Sequence, residues 1–192
     1  MGFIRNLLAL IGLAVVVVIA GIYIQYKDNL NGFDPEAGRV YMELAQNVLE
    51  TGNGADATIW KVPVEEGLSA DDVEETMKFV ANELNMSNVG ELPLYKDVEA
   101  KTGQPYRFVK IYMFCNSLIA KQMLDYRDSF SAYLPCRITM VEDQSGKLWL
   151  FTLNMDLMIH GGEPLPPELK AEALAVKEMI EEIMQRGAAG DF

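Results

Sequence analysis

The chain has little of what catalytic and nucleic-acid-binding sites commonly need. Among its 192 residues are one histidine, two cysteines and 16 basic residues against 28 acidic ones, for a formal net charge of −12. No Lys/Arg-rich run is present to neutralise phosphates, which argues against nucleic-acid binding. The negative net charge also argues against peripheral binding to anionic lipid.

Short catalytic motifs are also missing. The sequence holds no G-x-S-x-G nucleophile elbow, no P-loop and no G-x-G-x-x-G. Serine–histidine catalysis would have to use His160, and no pattern supplies its partner. Structural zinc needs four nitrogen or sulfur ligands, which are hard to assemble from so few residues. The sequence therefore favours a binding module over an enzyme and requires no cofactor.

One long hydrophobic run stands at the N-terminus. Residues 7–24 read LLALIGLAVVVVIAGIYI, without charge or proline. About 18–20 such residues just span a bilayer core of roughly 30 Å. The residues that follow are bulky, whereas a signal-peptide cleavage site needs small ones. We therefore predict an uncleaved transmembrane anchor over residues 1–28, with a cleaved signal peptide and a buried core helix as the alternatives.

The orientation of this anchor is weakly encoded. Arg5 precedes the run and Lys27 follows it, so the count of basic residues near the two ends is nearly tied. A short tail followed by a long domain is the usual layout of an N-terminal signal anchor. This layout favours a C-terminal domain outside the cytoplasm.

Beyond the anchor, the pattern predicts a linker and first soluble helix over residues 29–55, then a domain over residues 56–192. Asp34 is placed to cap the N-terminus of the first helix, and Gly52 or Gly54 to end it. Ser69 with Asp72 forms a near capping box for the next helix. For residues 89–105 the pattern predicts a short strand followed by an irregular segment on the surface.

The second half of the domain carries clearer strand patterns. Residues 106–115 form the clearest strand, and Asn116 or Ser117 can cap a short helix after it. Two further strands flank the turn DQSG, which ends at Gly146 and predicts a hairpin. A long helix begins at Pro166 or Pro167 and ends at Gly187. The order of elements predicts an α+β fold, an antiparallel sheet covered by helices.

Residues 57–155 resemble a known bacterial family, domain of unknown function 302. An apolar strand leads into an Asn-containing turn, followed by an LPC strand start and an acidic turn ending in Gly. The matching positions are Asn116, Ala120, Leu134, Pro135, Cys136, Glu142 and Gly146. The family's usual Asn-Pro pair is Asn116-Ser117 here. The resemblance implies a TBP-like α+β fold that is often dimeric, and it implies no activity.

The two cysteines are the first candidate site. If the strands around Cys115 and Cys136 are antiparallel neighbours, the side chains can meet at one end of the sheet. A disulfide would need Cα atoms about 4.4–6.8 Å apart, and an oxidising compartment favours pairing. The alternative is two buried thiols that act as small hydrophobic side chains. Asn116 and His160 complete the set of ligand-binding or redox candidates.

A second candidate is a metal site around the segment NMDLMIHGG. Met155, Met158 and His160 lie close together after the last strand, and thioethers with imidazole can hold copper. Either cysteine would complete such a ligand set. Core packing by the methionines is the competing explanation.

These observations predict a single-pass protein of the bacterial inner membrane with a periplasmic or other extracytoplasmic domain. We expect the domain to bind a small ligand or a partner protein. The expected partners are the lipid bilayer, a second copy of the chain, and an envelope protein that contacts the C-terminal helix. The alternative function is a thiol- or metal-dependent redox protein that uses Cys115 and Cys136 with His160.

Overall fold

The computed structural model describes residues 2–192 and has the predicted α+β architecture, with one antiparallel sheet and helices. The helices are α1 (Gly2–Asn31), α2 (Ala37–Thr51), α3 (Gly54–Ala57), α4 (Ala70–Glu83), α5 (Leu94–Thr102), α6 (Ser117–Tyr126), α7 (Asp156–His160) and α8 (Pro167–Ala189), with a 3-10 helix at Asp128–Tyr133. The strands are β1 (Ile59–Pro63), β2 (Ser87–Leu92), β3 (Val109–Cys115), β4 (Cys136–Glu142) and β5 (Leu148–Leu153).

Helix α1 is long and apolar enough to cross a membrane. The candidate span is Gly2–Asp28; its most apolar 18 residues have a mean hydropathy of 3.0, and none of these is buried against the rest of the chain. The helix continues past the predicted anchor boundary at residue 28 and ends at Asn31. Length and composition are therefore compatible with the predicted anchor.

The five strands form one sheet in the order β1-β5-β4-β3-β2, and every neighbouring pair is antiparallel. The predicted hairpin is present as β4 and β5, with Gly146 at a φ of 85° in the connecting turn. A glycine suits that position because residues with a Cβ atom rarely adopt positive φ. The edge strand β2 carries an irregularity between Asn88 and Gly90.

The core lies on one face of this sheet, where α4 and α8 pack. Tyr112, Ile138 and Leu150, one from each central strand, are fully buried there. Their chain neighbours Ile111, Thr139 and Phe151 oppose one another across the strands and are half-buried. Alternation along a strand places these neighbours on the second face, which the helices leave largely open.

A smaller core joins α6, α7, α8 and the 3-10 helix. It is built from Met123, Phe130, Met155, Ile159, Leu165, Leu169 and Ala173. Cys136 packs against this cluster and also against the main core. The first residue of β4 therefore lies where the two cores meet.

Several local predictions are confirmed. The side chain of Ser69 accepts a hydrogen bond from the backbone of Asp72, and the Asp72 carboxylate accepts one from the backbone of Ser69. Gly52 ends α2 in the left-handed conformation, with a φ of 65°. Helix α8 begins at Pro167, as predicted.

Two local predictions are wrong, and a third holds in part. Helix α8 does not end at Gly187 but runs on to Ala189, with Gly190 as its left-handed C-cap. The capping prediction for Asp34 holds in part: Glu36 takes the N-cap position of α2, but the buried Asp34 carboxylate accepts a hydrogen bond from the backbone N–H of Glu36 at 3.0 Å. The segment after Leu92 forms a helix, α5, where surface chain was expected.

Candidate functional site

The two cysteines lie at one end of the central strands. Cys115 is the last residue of β3 and Cys136 the first of the antiparallel neighbour β4. Cys136 directly opposes Phe114, so Cys115 is one residue out of register with it. Both thiols are free in the structure.

A cavity of about 40 Å³ opens beside these strand ends and is enclosed by α6, the 3-10 helix and α8. Its lining is mainly apolar, and six of its residues carry sulfur: Met86, Cys115, Met123, Cys136, Met155 and Met158. We call it the sulfur cavity. Both cysteines thus line the same cavity as Met155 and Met158, the two methionines predicted from the sequence as candidate metal ligands.

Asn116 positions the helix that closes this cavity. Its Oδ1 accepts hydrogen bonds from the backbone N–H groups of Leu118 (3.1 Å) and Ile119 (3.3 Å), so it caps α6 as predicted. The chain therefore turns into α6 directly after Cys115. About two turns of that helix place Met123 at the cavity, where it is 4% exposed. Asn116 also lines the cavity, but its side-chain oxygen Oδ1 already accepts these two backbone hydrogen bonds.

The cavity keeps its two thiols protonated at neutral pH. Burial raises the pKa of the Cys136 thiol to about 11, with a further contribution from the nearby Cys115. Burial also raises the pKa of Cys115. An apolar environment disfavours the charged thiolate, and no cation adjoins the thiols closely enough to reverse this effect. Neither cysteine is therefore a ready nucleophile.

His160 is not part of the sulfur cavity. It is the last residue of α7, it is 6% exposed, and its Nδ1 lies 3.2 Å from Oδ1 of Asp34. The other carboxylate oxygen of Asp34 accepts a hydrogen bond from the ammonium group of Lys170. His160 thus belongs to a buried ion cluster that attaches the segment before α2 to the domain.

Met86 and Met123 are cavity residues that sequence reasoning missed. Met86 follows α4 and packs in the main core, whereas Met123 lies on α6 and packs in the smaller core. Each fits the apolar pattern of its own segment, so nothing local distinguishes it from an ordinary core residue. Only the packing of α4, α6 and the strand ends against one another reveals their shared cavity.

A second polar cluster lies beside β2 and β3. The ammonium of Lys110 lies 2.7 Å from carboxylate oxygens of Glu74 and of Glu91, and the hydroxyl of Tyr112 donates to Glu74 at 2.6 Å. Lys78 bridges the same two carboxylates. Two acids and two bases neutralise each other here, so the cluster ties α4 to the sheet. Across residues 2–192, no three His, Cys, Asp or Glu side chains gather as a metal site.

Comparison with solved structures supports the fold. The chain is similar to the crystal structure of the uncharacterised conserved protein DUF302 from Bacillus stearothermophilus, with 15% sequence identity and a TM-score of 0.55. The similarity covers 67% of this chain and 97% of that one. No curated protein matches the sequence.

The family comparison is more direct. The model of the family described as Domain of unknown function DUF302 matches residues 60–187. The match extends past residue 155, where the sequence resemblance was expected to stop, and includes most of α8. Helix α8 is thus part of the family domain and not an addition to it. Because the match covers about two thirds of the chain, this protein belongs to the DUF302 family.

Proposed function

We propose that this protein is a membrane-anchored binding module of the cell envelope whose domain takes a small ligand into the sulfur cavity. The sulfur cavity is the observation that carries this proposal. It is an apolar space with partial access from solvent, at the junction of both cores. Concave, mostly apolar sites with few polar groups are the usual places for small ligands.

The size of the cavity limits the ligand. A buried water needs a cavity of roughly 10–15 Å³, so a cavity of about 40 Å³ holds a ligand of only a few atoms. An organic cofactor would need the surrounding helices to separate. The proposed ligand is therefore an ion or a very small molecule.

We place the anchor in the bacterial inner membrane and the domain outside the cytoplasm. The support is the long apolar α1 at the N-terminus, followed by a much larger domain. The proposed module can also contact an envelope partner through α8. However, the main apolar stripe of α8, which includes Leu169, Ile180 and Ile183, is already buried within the domain. Ligand binding in the cavity is therefore the better-supported function.

The redox alternative has weaker support. It needs a reactive thiolate and the imidazole of His160 near the two cysteines. Burial raises the pKa of both thiols, and His160 contacts Asp34 instead. A disulfide between Cys115 and Cys136 remains a proposal, which a thiol count on non-reduced, denatured protein from the native membrane would test.

Xenon binding to the full-length protein in detergent tests the proposed ligand site. Xenon enters small apolar cavities, so it should cause saturable shifts in the NMR signals of the Met123 and Met155 methyl groups. The substitution Ala173→Val adds volume inside the cavity and should abolish these shifts. Ala175→Val is the matched control, since Ala175 lies on the same helix outside the cavity lining.

Two outcomes would count against this site. One is a wild-type protein whose methionine signals do not respond to xenon. The other is an Ala173→Val variant that responds as strongly as the wild type and the Ala175→Val control.

A further inference from the structure

The sulfur content of the cavity is unusually concentrated. The chain has eleven methionines and two cysteines. Six of these thirteen residues line one small cavity, and they come from five separate parts of the chain. Other buried methionines, such as Met77 and Met140, pack in the main core away from any thiol-lined space.

Cys136 is the cavity cysteine that contacts both cores. Met86 belongs to one core, and Met123 and Met155 belong to the other. These three methionines are at most 8% exposed. Cys115 and Cys136 are both half-buried, and Cys115 lines the cavity together with Asn116 and the exposed Tyr133. The lining thus offers two thiols and four thioethers.

We propose that the sulfur cavity binds one Cu(I) ion through the Cys136 sulfur and the thioethers of Met86, Met123 and Met155, with Cys115 as a second thiol in the lining. This inference rests on the proposed function, in which the cavity takes a small ligand. Thiolate and thioether are soft ligands that select Cu(I) over the harder divalent metals. A single ion also suits the cavity volume.

Charge balance favours a monovalent ion. Binding exchanges the thiol proton for the metal: the S–H bond of Cys136 breaks, a sulfur–copper bond forms, and the proton leaves to solvent. One thiolate and Cu(I) have no net charge, which suits an apolar cavity. A divalent ion with the same ligands would leave one uncompensated positive charge. His160, the usual additional ligand for zinc, is held by Asp34 outside the cavity.

Anaerobic titration of the full-length protein with Cu(I) and a competing chelator tests the proposal. We expect one copper per chain by native mass spectrometry and a shell of sulfur atoms alone by X-ray absorption. Cys136→Ser should weaken binding by at least about a hundredfold, and Met123→Leu or Met155→Leu by about tenfold. Met140→Leu is the matched control, because this buried methionine lies outside the cavity lining, and it should bind like the wild type.

The pH dependence gives a readout that a purely structural role would not change. Release of one proton predicts that the affinity rises about tenfold per pH unit between pH 6 and pH 8. Cys136→Ser should remove most of this slope. Near-UV circular dichroism checks that each variant is folded. If Cys136→Ser does not fold, the Cu(I) affinities of the methionine variants and the pH dependence of the wild-type affinity test the proposal instead.

Three results would overturn the Cu(I) site. The first is no bound copper in the presence of the chelator. The second is oxygen or nitrogen in the metal shell. The third is a Cu(I) affinity of the Met123→Leu and Met155→Leu variants that equals the affinity of the Met140→Leu control. Xenon uptake without copper binding would overturn this inference and leave the proposed function standing, whereas the absence of both would overturn the two together.

Discussion

Asp34 is the side chain that connects the start of α2 to the rest of the domain. Its carboxylate is fully buried between His160 and Lys170, and its backbone N–H donates to the carbonyl of Gly162 at 2.7 Å. The hydroxyl of Tyr41 donates to the carbonyl of Gly161 at 2.6 Å and reinforces the same contact. One buried ion cluster and two hydrogen bonds to backbone carbonyls therefore hold the start of α2 against the domain.

We predict that Asp34→Asn lowers the free energy of unfolding by about 2–4 kcal/mol at pH 7. The neutral amide leaves the partly buried Lys170 ammonium without its counter-ion, and breaking a buried pair is costly. Chemical denaturation in detergent, followed by the fluorescence of Trp60 and Trp149, measures the change. Asp71→Asn is the control, since Asp71 is exposed on α4 and should cost under about 1 kcal/mol.

The pH dependence of this effect has a defined sign. Burial tends to raise the pKa of Asp34, but hydrogen bonds from Lys170, the Glu36 backbone and His160 outweigh it and hold the pKa below 3.8. The stabilisation is therefore complete above about pH 4 and is lost as the pH falls through the lowered pKa. The difference between wild type and Asp34→Asn should shrink on acidification. A difference that grows below pH 4 would contradict this assignment.

Single residues were predictable where their partners are near in sequence. Asn116 caps α6 through backbone groups two and three residues away, so its role is visible in the local pattern. Asp34 also has a local pattern, that of a helix cap, but its strongest partner, Lys170, lies 136 residues further on. A contact between residues so far apart in the sequence cannot be recognised from the spacing of neighbouring residues.

The pairing of α4 with α8 is the main contact between helices. Gly187 lies at this contact, and a Cβ atom added there would overlap Cγ of Met77, which is fully buried on α4. The glycine thus permits close approach of the two helices. It is not the helix end that its sequence position suggested.

Gly187→Ala should therefore destabilise the protein by about 1–2 kcal/mol. Overpacking typically costs 1–3 kcal/mol, and the better helix propensity of alanine offsets part of that cost. Gly38→Ala is the matched control, because Gly38 lies in α2 with no atom near its added Cβ. That variant should be neutral or more stable by up to about 1 kcal/mol. Equal effects of the two substitutions on thermal unfolding would remove the close-approach explanation.

Elements with strong local signals were predictable, and mixed segments were not. The hairpin of β4 and β5 carries alternation and a turn glycine, and α4 carries its capping box. Helix α5 has no buried residue, so it lacks the apolar stripe from which a helix is usually recognised. The sulfur cavity was predictable only in part, because Met86 and Met123 enter it through packing between distant elements.

At the scale of the whole molecule, we predict that α1 is an uncleaved anchor. The full chain should partition with membranes and keep its N-terminal mass, whereas a version that starts at Asn29 should be soluble. The reason is that the apolar stretch of α1 makes no buried contact with the domain. Membrane fractionation and intact-mass measurement check this prediction. A mature chain that begins after Ala20 would show instead that the segment is a cleaved signal peptide.

We also predict a homodimer, as the family resemblance implies. Light scattering on the version that starts at Asn29 should give twice the mass of one chain. Both sheet edges are poorly suited to pairing with a second chain, because Pro63 ends the edge strand β1 and the edge strand β2 is irregular. A monomer at tens of micromolar would contradict this prediction.

The buried attachment of Asp34 limits how far the domain can lie from the end of α1. Only Gly32 and Phe33 separate it from the end of α1, so the gap between Asn31 and Asp34 spans at most about 11 Å when fully extended. With α1 in a bilayer, the domain is held on a short tether close to the lipid surface. It then samples a thin layer of solvent beside the membrane, and any molecule that contacts the domain has to come within that layer.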